Sequence, residues 1–403
     1  MRINRHNAHL TYCSNIHPGE SWPETFDNLK RYTTQIRKEL TKEDFGIGLR
    51  LSNIASIELL EDNHLNDFKS WLQSENMYVF TINGFPYGQF HQERVKDKVH
   101  SPDWTTVERL DYTKRLFHIL SELLPDGLDG GVSTSPITYR WWHTDQDSLD
   151  GVKSKACNHL AELIVYLVGL KKETGKSLHL DMEPEPDGIL ETTAEFVDYF
   201  NDYLLQKGLK SVLTSLNCDE KTGEEYIREH FQLCYDVCHF AVGFENPREA
   251  ITRIQSENIK IGRIQISAAL ASPDLQDTDV NEVCKQLSVF DEPIYLHQAV
   301  TKQANNELQR FPDLGEAIKS LQYPPDLEIR THFHVPIFTE KYGLLRSTQQ
   351  DIFETLEIWS EQNFTNHLEV ETYTWDVLPQ DMRTDIISSV VRELNWVRQT
   401  LKK

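Results

Sequence analysis

Short apolar, β-rich runs alternate along this chain with longer stretches in which apolar residues recur at helical spacing. The strand-like runs fall at residues 9–13, 46–51, 78–82, 131–134, 177–182, 232–235, 261–266, 327–332 and 368–371. Between them, Phe26, Leu29, Tyr32, Ile36 and Leu40 share one helical face, as do Val107, Leu110, Leu116, Ile119 and Leu123. Leu160, Leu163, Ile164 and Leu167 repeat the pattern, and Ile387, Val390, Val391, Leu394, Val397 and Leu401 repeat it near the end of the chain. Such stripes are the buried faces of helices, and regular strand–helix alternation predicts parallel strands joined by crossovers.

The expected fold is therefore α/β, a (β/α)8 TIM barrel. The competing fold, an open doubly wound sheet, usually shows a glycine-rich first strand–helix turn. Here residues 15–20 read NIHPGE. Nine runs exceed a barrel's eight by one, and 294–297 is a weaker tenth. Residues 268–326, rich in Pro and Asp, hold much of the excess, and 268–336 is expected to be an elaboration between the last two barrel strands. No linker-like composition interrupts the sequence, so 1–403 is expected to form one domain.

Charge narrows the class of partner. The chain carries 63 Asp and Glu against 41 Lys and Arg, a formal net charge of −22. Nucleic-acid binding rests on neutralising phosphates with cationic side chains, so no nucleic-acid partner is expected. The first residues, MRINRH, lack an apolar core for a signal peptide, and the apolar run at 163–170 is too short to span a bilayer. Six scattered cysteines (13, 157, 218, 234, 238 and 284) show no zinc-finger spacing. A reduced, cytoplasmic protein without a membrane span is the expectation, and a homo-oligomer is allowed.

In a barrel, function gathers where strands run out into loops at their C-terminal ends. Strand 177–182 runs into Glu183 and Glu185, each followed by proline. A carboxylate ending an apolar strand is costly unless paired or metal-bound, although a solvated loop would also accept it. Strand 232–235 ends at Asp236, with His239 three residues on; carboxylate and imidazole are both ligands for divalent metals, while the plainer reading is a helix N-cap beside a core histidine. Gln265 alternates in phase with Arg263 and Ser267, which turns all three toward the barrel axis. His332 and His334, two residues apart, share a face, and the last strand ends at Glu371 with Glu369 one layer deeper. His17, Asn83, Tyr87, Arg330 and Tyr373, with Tyr12, Asn15, His91, Lys96 and residues 133–135, are polar or aromatic groups suited to a sugar-like ligand.

The ordered ends Glu183, Asp236 with His239, Gln265 and Glu371 resemble the metal-ligand order of the xylose-isomerase-like barrel superfamily, the sugar phosphate isomerase/epimerase group. Residues 12–22 (YCSNIHPGESW), 83–88 (NGFPYG), 183–186 (EPEP) and 332–336 (HFHVP) further resemble the EboE-type metabolite traffic branch. The resemblance implies a divalent ion (Mn, Mg, Co or Zn) held by Glu183, Asp236, Gln265, Glu371 and one or both of His332 and His334. Gln265 stands where the epimerases carry a histidine. The implied activity is isomerisation or epimerisation of a sugar, cyclitol or related small polyol, with Glu183, Glu371 and His239 as catalytic groups. The alternatives are a non-catalytic metabolite carrier and a metal-dependent hydrolase.

Overall fold

The fold was analysed in a computed structural model that describes residues 1–3, 7–88, 96–321, 326–376, 378 and 385–402. His91 lies outside the described residues. The main sheet has nine strands, of which the two-residue Arg2–Ile3 pairs antiparallel at its edge. The rest run parallel: β1 (Ala8–Tyr12), β2 (Phe45–Arg50), β3 (Met77–Asn83), β4 (Asp129–Thr134), β5 (Ser177–Met182), β6 (Phe231–Asp236), β7 (Ile261–Ile266) and β8 (His367–Val370). Their order is β1-β8-β7-β6-β5-β4-β3-β2, and a parallel bridge between Cys13 and Gly48 closes the ring from β1 to β2. This is the TIM barrel that strand–helix alternation predicts.

The surrounding helices form for local reasons. The first begins at Ser21, whose hydroxyl accepts from the Glu24 amide while the Glu24 carboxylate returns to the Ser21 amide, a reciprocal cap. The long helix Gln146–Thr174 is capped by Asp145 and stops at Gly175, whose φ of 74° suits a residue without Cβ. Leu160, Leu163, Ile164 and Leu167 are buried along it. Among the described residues, no helix is long and apolar enough to cross a membrane.

The barrel interior is charged rather than apolar midway along its axis. Arg263 on β7 donates to Asp181 on β5 (3.1 Å) and Glu369 on β8 (2.8 Å), and to the carbonyls of Ile82 and Gly131. This network consumes the space that side chains would otherwise fill. A Cβ on Gly262 would lie 1.8 Å from Asp181 Oδ1, and one on Gly48 would lie 1.9 Å from Glu369 Oε1. Two residues further along the same strands come Glu183, Gln265 and Glu371, turned to the same side at the barrel's C-terminal mouth by the two-residue period.

The run at 327–332 is not a barrel strand. It forms Asp326–Thr331, part of a six-stranded antiparallel sheet with Leu270–Ala271, Ala299–Gln303, Leu308–Phe311, Lys341–Tyr342 and Leu345–Ser347. Its burial alternates irregularly between buried and half-buried, unlike the fully buried β6 and β7. Residues 294–297 form no strand; the neighbouring Ala299–Gln303 does. The elaboration thus extends past 336 to Ser347, and its loops lie over the C-terminal mouth.

Candidate metal centre at the barrel mouth

Glu183, Asp236 and Glu371 converge from three strand ends, with one carboxylate oxygen from each within 4.8 Å of the others. All three are buried. Asn15 and Asn83 donate to Glu371 Oε1 at 2.8 and 3.2 Å. Asp236 Oδ1 accepts from the Ser267 hydroxyl (2.6 Å) and the His239 amide (3.1 Å). Asp236 therefore does cap the short helix Val237–Val242, and that cap holds the carboxylate toward the centre.

Gln265 occupies the middle of this set. Its Nε2 lies 3.1 Å from Glu183 Oε1, 3.2 Å from Asp236 Oδ2 and 2.5 Å from Glu371 Oε2, while Cys234 Sγ donates to its Oε1 at 2.6 Å. An amide nitrogen carries two protons and cannot satisfy three carboxylates. Glu183 Oε2 has no hydrogen-bond partner.

Three imidazoles face the same space. The Nδ1 atoms of His239, His332 and His334 sit 2.8 Å from the Pro184 carbonyl, 2.8 Å from Gln298 Oε1 and 2.9 Å from the Glu371 carbonyl. With those acceptors Nδ1 carries the proton in each ring, which leaves each Nε2 a lone pair. His239 Nε2 and His332 Nε2 then point lone pairs at each other across 3.1 Å, and His334 Nε2 is buried with no partner. The Tyr373 hydroxyl lies 3.4 Å from His332 Nε2, but facing lone pairs 3.1 Å apart also suit a cation, and a carbonyl or amide oxygen holding the second ring nitrogen is the usual support of a metal-binding histidine. His239 and His334 reach Asp236, and His332 and His334 reach Cys238, within the same 4.8 Å limit.

The electrostatics agree. Burial, followed by repulsion from Glu371 and Asp236, pushes the Glu183 carboxyl well above the usual range; burial and Asp236 do the same to Glu371. Burial also favours the protonated form of Asp236, but His239, His334 and the Ser267 hydroxyl outweigh it and hold Asp236 low. Burial lowers the histidines, His334 to about 4. Carboxylates crowded beyond what burial tolerates, beside neutral imidazoles, fit a divalent cation.

The cavity above these groups measures about 530 Å³ with its open mouth, and Asn15, Asn83, Glu185, His239 and Tyr373 line it with Phe85, Lys96, Tyr295 and His332. Tyr295 belongs to the segment at 294–297, and nothing in its local sequence signals that it reaches this mouth. His100, absent from the sequence candidates, lies buried with its Nε2 3.8 Å from Glu185 Oε2.

Three residues expected to bind substrate lie elsewhere. His17 follows the turn Ser14–Ile16 and is buried against Tyr12, whose hydroxyl it bonds (3.0 Å), and Tyr32, on which it stacks. Tyr87 packs edge-on against Tyr112. Arg330 donates to the Ala241 carbonyl at the end of helix Val237–Val242 and pairs with Glu328, since its strand belongs to the antiparallel sheet.

The fold is a TIM barrel with a carboxylate and imidazole cluster at its C-terminal mouth, similar to solved xylose isomerase-like barrels. Solved structures share it over nearly the whole chain. One is a xylose isomerase-like TIM barrel protein from Mycobacterium smegmatis in complex with magnesium, with 13% identity and a TM-score of 0.50 over 98% of this chain and 97% of that one. Another, described as a candidate sugar phosphate isomerase/epimerase from Anabaena variabilis, has 10% identity and a TM-score of 0.50 over 98% of each chain. At such identity the likeness speaks to fold alone. No protein-family model and no curated protein matches the sequence.

Proposed function

We propose that the protein is a metal-dependent isomerase or epimerase acting on a sugar, cyclitol or related polyol. The observation that carries this reading is the meeting of Glu183 and Glu371, from β5 and β8, with Asp236 from the intervening β6. Glu183, Asp236 and Glu371 would hold a divalent ion (Mn, Mg, Co or Zn), which when bound would supply Lewis-acid stabilisation of negative charge on a carbonyl oxygen.

The chain's own residues move the proton. Glu183 Oε2, without a partner, takes a proton from the carbon beside the carbonyl, and Glu371, steadied by Asn15 and Asn83, returns one from the other side. His239 orients the reacting oxygen. Asn83 and Tyr373 position hydroxyls, and the aromatic rings of Phe85, Tyr295 and Tyr373 offer flat apolar surface to a sugar ring. The resemblance to EboE-type proteins supports a setting in secondary-metabolite biosynthesis or transport.

A second reading, a metal-dependent hydrolase, is favoured by the additional donor set Asp236, His239 and His334, which shares Asp236 with the carboxylate set. The deciding experiment measures bound metal and then follows exchange of substrate hydrogen with D2O over a panel of ketoses and cyclitol ketones with added Mn or Co. Exchange is expected, and Glu183→Gln or Glu371→Gln should slow it about 10²–10⁴-fold. Bound metal without exchange on any member of the panel defeats the isomerase reading. Sugar binding by metal-free protein would instead support a carrier.

A further inference from the structure

At the opposite end of the barrel, the N-terminal mouth holds a second cluster of metal-ligating groups unrelated to the cavity above. Asp129 opens β4, His179 lies on β5 and His367 opens β8. In the ring order, β8 and β4 are separated by β7, β6 and β5 on one side and by β1, β2 and β3 on the other, so the cluster spans the barrel's full width.

The geometry is that of a prepared site. His179 Nδ1 is 2.6 Å from Asp181 Oδ1, and Asp181 is itself held by Arg263. That hydrogen bond fixes the ring and sends Nε2 toward Asp129 Oδ2, 3.6 Å away. His367 Nε2 lies 3.7 Å from Asp129 Oδ1 and 3.3 Å from the Asp129 carbonyl oxygen, a long hydrogen bond that an ion would displace. Both separations from the Asp129 carboxylate are too long for hydrogen bonds, and His179 Nε2 is buried without a partner. The rings stand 5.3 Å apart, and one ligand atom from each of the three residues falls within 4.8 Å of the others. The His179 and His367 side chains are almost fully buried, whereas the Asp129 side chain is 41% exposed and gives an ion a way in.

We propose that Asp129, His179 and His367 bind one divalent transition-metal ion, of the zinc or cobalt kind, that staples β4, β5 and β8 together across the lower mouth. Two imidazoles and a carboxylate are the donor set such ions prefer. The Asp181–His179 pair is the carboxylate–histidine support that raises a ligand's basicity. Catalysis in this fold class resides at the other mouth, so the role is structural. A proton is the rival occupant: burial disfavours it on His179, but Asp181 and Asp129 together push the ring up to about 9.

The test is the zinc content of the full chain after equilibration with ZnCl2 at pH 8 and gel filtration. In a Glu371→Gln background, which removes a ligand of the upper centre, adding Asp129→Asn, His179→Gln or His367→Gln should each lose one further equivalent of zinc. Zinc should also raise the Tm of Glu371→Gln by roughly 3 °C or more, a shift absent when Asp129→Asn is added. Asp129 is partly exposed, so its substitution keeps the test valid if the histidine variants misfold. An unchanged zinc count when Asp129→Asn is added, or no zinc-dependent rise in Tm, overturns the proposal and leaves a proton on His179.

Discussion

Gln265 Nε2 approaches Glu371 Oε2 to 2.5 Å, so a side-chain amide stands among carboxylates at the heart of the candidate metal centre. An amide is a poorer ligand than the imidazole that the resemblance leads one to expect there. Gln265→His should therefore tighten Mn or Co binding by roughly an order of magnitude or more, as measured by calorimetric titration. Unchanged or weaker affinity would show that Gln265 is the fitted ligand.

Metal uptake should release protons. Burial and mutual repulsion keep Glu183 and Glu371 protonated well above the normal carboxylate range, and an ion must displace what they hold. Calorimetry in buffers of different ionisation enthalpy should show at least about one proton released per ion at neutral pH, with affinity falling as pH is lowered. Heats independent of the buffer would contradict this protonation state.

Glu393 makes stability depend on pH. It is buried on the C-terminal helix and accepts from the Thr372 hydroxyl (2.8 Å) and the Ile337 amide (3.2 Å), joining that helix to the loops beside Glu371 and His334. Burial pushes its carboxyl up to about 8, against the hydrogen bonds. The folded state thus keeps a proton that the unfolded chain gives up near pH 4.5. Its contribution is complete below that pH and fades as pH rises through 8, at about 1.4 kcal/mol per unit of difference. Urea unfolding from pH 5 to 8.5 should show Glu393→Gln losing less stability with rising pH than wild type. Parallel pH dependences would remove Glu393 from this role.

The charged layer inside the barrel should tolerate little change. Arg263→Met leaves Asp181 and Glu369 buried without their cation and should cost about 3–5 kcal/mol in urea unfolding. Gly262→Ala should be comparably damaging, because its Cβ would fall 1.8 Å from Asp181 Oδ1. A loss under about 1 kcal/mol in either variant would mean that the layer rearranges freely.

Periodicity and strand ends are local properties, and the sequence carried them. Alternation along residues 261–266 put Arg263 and Gln265 on one face, and the polar exits at Glu183, Asp236 and Glu371 marked the C-terminal rim. The antiparallel sheet was less legible, because its strand Asp326–Thr331 has the same apolar, β-branched character as a barrel strand and differs in what covers it. Arg330 lies away from the mouth for that reason, and His17 because a short turn redirects the chain.

What a linear pattern cannot contain is the arrangement around the ring. The docked antiparallel sheet brings the lone pairs of His239 and His332 to 3.1 Å across 93 residues, and barrel closure sets Gln265 among carboxylates drawn from three other strands. The same closure brings Asp129 to His367 at the far mouth. The sequence determined which side chains point inward, because the two-residue period of a strand is fixed by its own backbone. The tertiary structure decided which of them meet, because that depends on strand order and on packing between segments far apart in the chain.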